Sequence, residues 1–184
     1  MTSADERTTR NIAVLVAMEG IEQVELTGPW KALEDAGWEP VLVAPDRGDV
    51  QAFEHLDRAD RFPVDRTVAD VAVEDFAGLV LPGGVANPDA LRTDAAAVDL
   101  VRGFVQGGAP VAAICHAIWM LVEADAVRDR TLTSWPSLQT DVRNAGGTWV
   151  DQEVVTDGSL VTSRKPDDLP AFNAAMLDVL GAVG

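Results

Sequence analysis

Four short runs in this chain, Ile12–Ala17, Val41–Ala44, Leu79–Leu81 and Val111–Ile114, are apolar without interruption. A strand with one wet face alternates apolar and polar residues. A continuous run of this length has to be buried on both faces, as in a parallel sheet covered by helices on each side. Segments of helical composition separate the runs, from Glu22 to Ala36 and from Asp94 to Gln106. The alternation predicts an α/β fold with a mainly parallel sheet. Further strands are expected near 131–133, 148–150, 153–156 and 160–162, and helices over 117–123, 136–144 and 167–180. The stretch 50–64 reads as a hairpin with its turn at Asp57-Arg58-Ala59-Asp60. No repeat or low-complexity tract divides the 184 residues, so a single domain is expected over 11–184. The polar residues 1–10 read as a frayed leader.

A net charge of −16 argues against nucleic acid and anionic membranes as partners, since both need basic surfaces. Nothing reads as a membrane span or a secretion signal. The single cysteine cannot form an internal disulfide, which suits a reducing cytoplasm. One cysteine and two histidines without paired spacing cannot close a zinc site, and no phosphate-loop or dinucleotide fingerprint is present. Neither a metal nor a cofactor is expected.

That cysteine lies in Ala-Ile-Cys-His-Ala (113–117), where a buried strand runs into a helix. A nucleophile on such a bend needs small residues two positions before and after it, here Ala113 and Ala117. The helix N-terminus and the adjacent His116 favour thiolate over thiol. In an open α/β sheet, ligands bind beyond the carboxyl ends of the strands. There Cys115 would meet Pro82-Gly83-Gly84 and the acidic segment Met18–Glu22. The amides of Gly84 and His116 are the natural pair to hold an oxyanion. Glu22 opens a helix, with Glu19 and Glu25 as rivals; Glu25 lies a turn further along and Glu19 is free to face outward. Adjacent side chains on a helix diverge, so His116 need not touch the sulfur. His55 reads as a solvated loop residue, Trp119 and Trp149 as core or interface aromatics, and Trp135 as a candidate pocket wall.

The ordered set Glu-Gln-Val-Glu-Leu (22–26), Leu-Val-Leu-Pro-Gly-Gly (79–84), Asn-Pro-Asp-Ala-Leu-Arg (87–92), Pro-Val-Ala-Ala-Ile-Cys-His (110–116), Leu-Thr-Ser-Trp-Pro (132–136) and Asp-Gln-Glu-Val-Val (151–155) resembles the ThiJ/PfpI superfamily. Leu-Val-Thr-Ser-Arg-Lys-Pro-Asp-Asp-Leu-Pro (160–170) resembles its PfpI-like branch. The resemblance implies a flavodoxin-like three-layer sandwich, similar to class I glutamine amidotransferases, with a nucleophilic cysteine on a strained elbow. It implies Cys115 as nucleophile, Glu22 as the acid touching its sulfur, and His116 as the following histidine. It further implies that Asp89 of a neighbouring subunit orients that histidine, hence a homodimer or larger homo-oligomer. Members are described as intracellular peptidases, glyoxalases, deglycases and stress proteins. The chain departs from the branch's usual Cys-His-Gly-Pro with Cys115-His116-Ala117-Ile118, so Ile118 is expected to add bulk beside a substrate pocket formed with Gly83 and Trp135. The expected substrate is a small reactive carbonyl such as methylglyoxal, or an early glycation adduct. Peptide or amide hydrolysis and a redox sensor or holdase without turnover are the alternatives.

Overall fold

Strand β1 (Asn11–Leu15) starts the sheet, and the chain then forms a short β2 (Glu19–Glu22) before helix α1 (Gln23–Asp35). These elements belong to a computed structural model that describes residues 9–182. There follow β3 (Glu39–Ala44), the hairpin β4 (Asp49–Glu54) and β5 (Asp57–Pro63), and β6 (Arg66–Thr67). Next come β7 (Gly78–Leu81), α2 (Ala86–Leu91), α3 (Ala95–Gln106), β8 (Val111–Ile114) and α4 (Ile118–Glu123). The last part holds β9 (Thr131–Leu132), α5 (Gln139–Asn144), β10 (Thr148–Trp149), β11 (Val154–Asp157), β12 (Leu160–Ser163) and α6 (Leu169–Gly181).

The main sheet has the order β11-β12-β8-β7-β1-β3-β6, parallel except for β11. Along β1 the side chains part by parity. Ile12 and Val14 pack with Leu26 and Leu33 of α1 and Phe172 and Met176 of α6. Ala13 and Leu15 face Val101 and Phe104 of α3 and Leu121 of α4. This is the three-layer, flavodoxin-like sandwich expected, and it explains the unbroken apolar runs: both faces of each central strand are covered.

Asp94 caps α3 by accepting the Ala97 amide at 2.9 Å. The hairpin turns at His55 and Leu56 rather than at 57–60, because His55 itself takes the left-handed conformation (φ +56°) that a two-residue turn needs. β2 and α2 were not foreseen. β2 is held from outside its own segment, by parallel pairing with β4. Of the proposed leader, residues 1–8 lie outside the described residues. Thr9 and Arg10 are already tied down: Thr9 Oγ1 donates to Asp75 O and Arg10 O accepts the Glu39 amide.

Candidate active site

The carboxyl ends of β1, β7 and β8 lie side by side, and Cys115 follows β8 at φ +65°. An L-residue in this region carries roughly 1–3 kcal/mol of strain, sustained only where the surroundings fix it. Here the Trp135 amide donates to Cys115 O at 3.2 Å, just before the chain enters a single 3-10 turn (Cys115–Ala117) leading into α4. The elbow expected from Ala113 and Ala117 is present, and both alanines are buried.

Glycines let the Pro82–Gly84 segment approach closely. A Cβ on Gly83 would overlap Glu25 Oε2 and come within 2.7 Å of Cys115 Cβ. Gly84 (φ +85°) has the Gly20 carbonyl where a Cβ would stand. Asn87, fully buried, clamps this arrangement. Its Oδ1 accepts the Ala17 amide at 2.7 Å, and its Nδ2 donates to Pro82 O and Gly83 O at 2.9 and 3.0 Å. One side chain thereby ties the end of β1 to the loop after β7. Sequence reasoning missed its role, although the segment 87–92 was singled out; the signal was an asparagine three residues after the Pro-Gly-Gly turn.

Around the sulfur, the amides of His116 and Gly84 are within hydrogen-bonding reach and favour the anion. Burial, together with the neighbouring Glu25, nevertheless pushes the thiol up. The lowered sulfur pKa expected from the helix N-terminus is therefore overridden by desolvation. His116 does reach its neighbour, with Nδ1 3.2 Å from Sγ. Cys115 itself has left-handed backbone (φ +65°), so the divergence of neighbouring side chains on a regular helix does not apply to this pair. Burial lowers the His116 pKa and keeps the imidazole neutral. Its ring lies between two indoles, stacked on Trp135 (5.5 Å, 24°) and edge-on to Trp119 (5.3 Å, 64°). Trp149 Nε1 donates to Ser134 Oγ, and that hydroxyl donates to Trp135 O, tying Trp149 to the backbone of Trp135.

The acid at the sulfur is Glu25, not Glu22. Glu25 is completely buried, and neither carboxyl oxygen has a partner of hydrogen-bonding geometry among the described residues. Burial is the main cause that pushes its pKa up to about 8, against the weaker pull of Cys115 and the Gly83 and Gly84 amides. It is therefore protonated at neutral pH. Glu22 instead ends β2, and its Oε2 accepts the His55 amide at 3.1 Å. The helix starts one residue later than expected, and the first carboxyl pointing inward comes at its third position. The strand β2 hid this phase in the sequence.

A cavity of about 680 Å³ opens above the sulfur, walled by Gly84, Asp89 and Trp135 among others. His55 lines it too, which corrects its reading as a solvated loop residue; the β4–β5 hairpin carries it there together with Phe53, Leu56 and Arg58. Ile118 does not line it: the side chain is fully buried in the core beneath α3 and α4. Gly83 sits behind the sulfur against Glu25, and Gly84 presents to the cavity. Within the chain, Asp89 makes no hydrogen bond to the His116 ring among the described residues, although both face the cavity. No helix among the described residues is long and apolar enough to cross a membrane.

Known proteins resemble this chain in sequence and fold. The chain is 41% identical over 175 residues to protein/nucleic acid deglycase 2 of Escherichia coli (strain K12), covering 95% of this chain and 99% of that one. It is 37% identical over 172 residues to YraA of Bacillus subtilis (strain 168), named as a candidate cysteine protease, covering 94% and 99%. The crystal structure of Drosophila melanogaster DJ-1beta superposes with a TM-score of 0.84 at 29% identity, covering 95% of this chain and 92% of that one. Residues 10–179 match the DJ-1/PfpI family, and with the relatives and the fold in agreement, the chain belongs to the DJ-1/PfpI family.

Proposed function

We propose that the chain is a cysteine-dependent stress-response enzyme that converts small reactive carbonyls such as methylglyoxal, or removes their early adducts from proteins. The observation that carries this reading is the Cys115 sulfur at the cavity floor, with a neutral imidazole nitrogen at 3.2 Å and a buried, protonated carboxyl beside it.

The reaction starts from a thiol, so His116 Nδ1 takes the sulfur proton as Sγ bonds to the aldehyde carbon. The aldehyde oxygen becomes an alkoxide held by the Gly84 and His116 amides, and it accepts a proton to give the hemithioacetal. Once the thiol proton has moved to His116, the protonated Glu25 carboxyl beside the sulfur is the group available to donate to it and steady it through the addition. Loss of the proton from the former aldehyde carbon and gain of one at the neighbouring carbonyl carbon turn the adduct into a thioester of lactate. Water then cleaves the carbon–sulfur bond, releasing lactate and returning the thiol. The sum is methylglyoxal plus water to lactate, with no external oxidant or reductant.

A volume of about 680 Å³ suits a small ligand, which supports the carbonyl reading over extended peptides. Amide hydrolysis by the same nucleophile is the second reading, supported by the name of the YraA relative. A lone reactive thiol fits a reducing cytoplasm, and a neighbouring copy's Asp89 is proposed to orient His116. The test is lactate formation from methylglyoxal. Turnover is expected in the reduced protein, abolished in Cys115→Ser and at least tenfold slower in His116→Ala, a modest share of what a placed acid–base group contributes. Cleavage of unfolded protein without dicarbonyl consumption would establish the second reading instead. Protection of unfolded protein that survives Cys115→Ser, without turnover, would support the holdase.

A further inference from the structure

We propose that Trp135 is a positioning residue of this reaction: the face of its indole stabilises the imidazolium that His116 becomes on taking the proton of Cys115, and so sets how much thiolate the buried pair can form. The inference rests on the reading of Cys115 and His116 as nucleophile and base.

Moving a proton from Sγ to Nδ1 turns two neutral groups into a thiolate and an imidazolium, at a place where both are buried. Without compensating partners that separation of charge is costly. The sulfur has the His116 and Gly84 amides to hold its charge. For the imidazole ring, the sulfur is the one hydrogen-bond contact among the described residues. The charged groups around the ring are placed or engaged elsewhere. Glu25 is beside the sulfur, and Asp89 faces the cavity from α2. Arg92, just past the end of α2, is bound to Glu123, and Asp141 of α5 accepts Trp119 Nε1 at 2.9 Å. Glu19, Glu22, His55 and Arg58 line the cavity from β2 and the hairpin. What the ring does meet is an aromatic face. Trp135 stacks on it with centroids 5.5 Å apart and planes at 24°, inside the roughly 6 Å over which a cation is drawn to an indole.

The other indole is not suited to this role. Trp119 meets the imidazole at 64°, and the Arg92 guanidinium already lies 5.6 Å over its ring, so a second positive charge there is opposed by the first. No cation lies over Trp135 among the described residues. The platform is also rigid. Pro136 restricts Trp135 to extended backbone (φ −49°, ψ 134°). Its carbonyl accepts Ser134 Oγ at 2.9 Å and the Leu138 amide at 3.0 Å, while its own amide holds Cys115 O. The residue that fixes the strained backbone of the nucleophile thereby fixes the plane of the base as well.

The test reads the thiolate without turnover, as the rate at which iodoacetamide alkylates Cys115 across pH. The thiolate displaces iodide, and the imidazolium then gives its proton to water. The paired thiolate and imidazolium carry the same number of protons as the neutral pair, so their share does not change with pH. A wild-type rate that is flat between about pH 6 and pH 7.5, where an unpaired thiolate would rise about thirtyfold, is the mark of the pair. Above about pH 9 the rate climbs with unpaired thiolate, and that rise is the internal reference. In Trp135→Leu, which keeps the backbone amide, the ratio of plateau to rise is expected to fall about tenfold, and in Trp135→Phe by less. Fluorinated tryptophan keeps the indole shape and weakens its face, so it should lower the ratio in the wild type but not in Trp135→Leu. An unchanged ratio in Trp135→Leu, including plateau and rise falling in equal proportion, would show that the ring only shapes the fold and would overturn the proposal. A plateau that survives His116→Ala, or a wild-type rate without a plateau, would overturn the dyad itself, and with it both this proposal and the function proposed above.

Discussion

Replacing Glu25 by glutamine should stabilise this protein, and by an amount that depends on pH. The carboxyl is wholly buried, with its pKa raised from an ordinary 4.5 to about 8. A group whose folded-state pKa is raised contributes stability that is fully present below the unfolded value and lost as pH rises through the folded one. Between pH 5 and pH 8 the unfolded chain therefore releases this proton while the folded chain mostly keeps it. The difference removes about 3–4 kcal/mol of folding free energy over that window. A glutamine side chain has the same shape and never ionises. The change also swaps a hydroxyl donor for an amide, but that cost is the same at every pH and drops out of the comparison. Denaturant unfolding of wild type and Glu25→Gln at pH 5, 6, 7 and 8, at one protein concentration, reads the quantity directly. The stability difference, variant minus wild type, should widen by about 3–4 kcal/mol from pH 5 to pH 8. For a domain of this size that corresponds to a relative gain in Tm of roughly 10 °C. Parallel stability curves would show that Glu25 ionises normally inside the fold and would refute the argument from desolvation.

The same carboxyl should set the alkaline limb of catalysis. Turnover is expected to fall above about pH 8 as Glu25 loses the proton that neutralises it beside the sulfur, a limb that Glu25→Gln should lack at a reduced plateau; a wild-type profile still rising at pH 9 would contradict this. Asn87→Ala breaks three buried hydrogen bonds and should cost about 2–4 kcal/mol in unfolding experiments, with kcat falling more than KM rises because the Gly84 amide loses its placement. Mixing inactive Cys115→Ser and Asp89→Asn chains should restore up to about a quarter of wild-type activity if subunits pair at random and Asp89 acts across the interface; no gain after verified subunit exchange would count against a shared site.

The sheet was readable because its strands are covered on both faces, and that requirement is written directly into runs such as Val111–Ile114. The elbow was readable for a similar reason: a sharp bend tolerates only small flanks, and Ala113 and Ala117 supply them. The acid was not, because choosing among Glu19, Glu22 and Glu25 depends on where α1 begins. That point is set by β2 pairing with β4, a contact between segments about thirty residues apart. A one-residue change in helix start rotates every side chain by about 100°, enough to exchange a buried carboxyl for a rim carboxyl. Ile118 was misplaced by analogy with the proline it replaces; it turns into the core on the far side of its helix. The role of the hairpin also escaped, since His55 and Phe53 reach the cavity only through the folding of β4 and β5 over it.

The left-handed backbone of Cys115 puts durability and reactivity in opposition. Glycine at that position would relieve the strain, just as an uncharged side chain at position 25 would relieve the buried acid next to it. Random variation screened for heat resistance alone should therefore collect changes at these two positions early, and every such gain would disarm the sulfur. A lineage that kept the shape of this protein but lost its chemistry would be expected to show the exchange first there, with the sheet, the Asn87 clamp and the glycines left in place as the imprint of a reaction no longer performed.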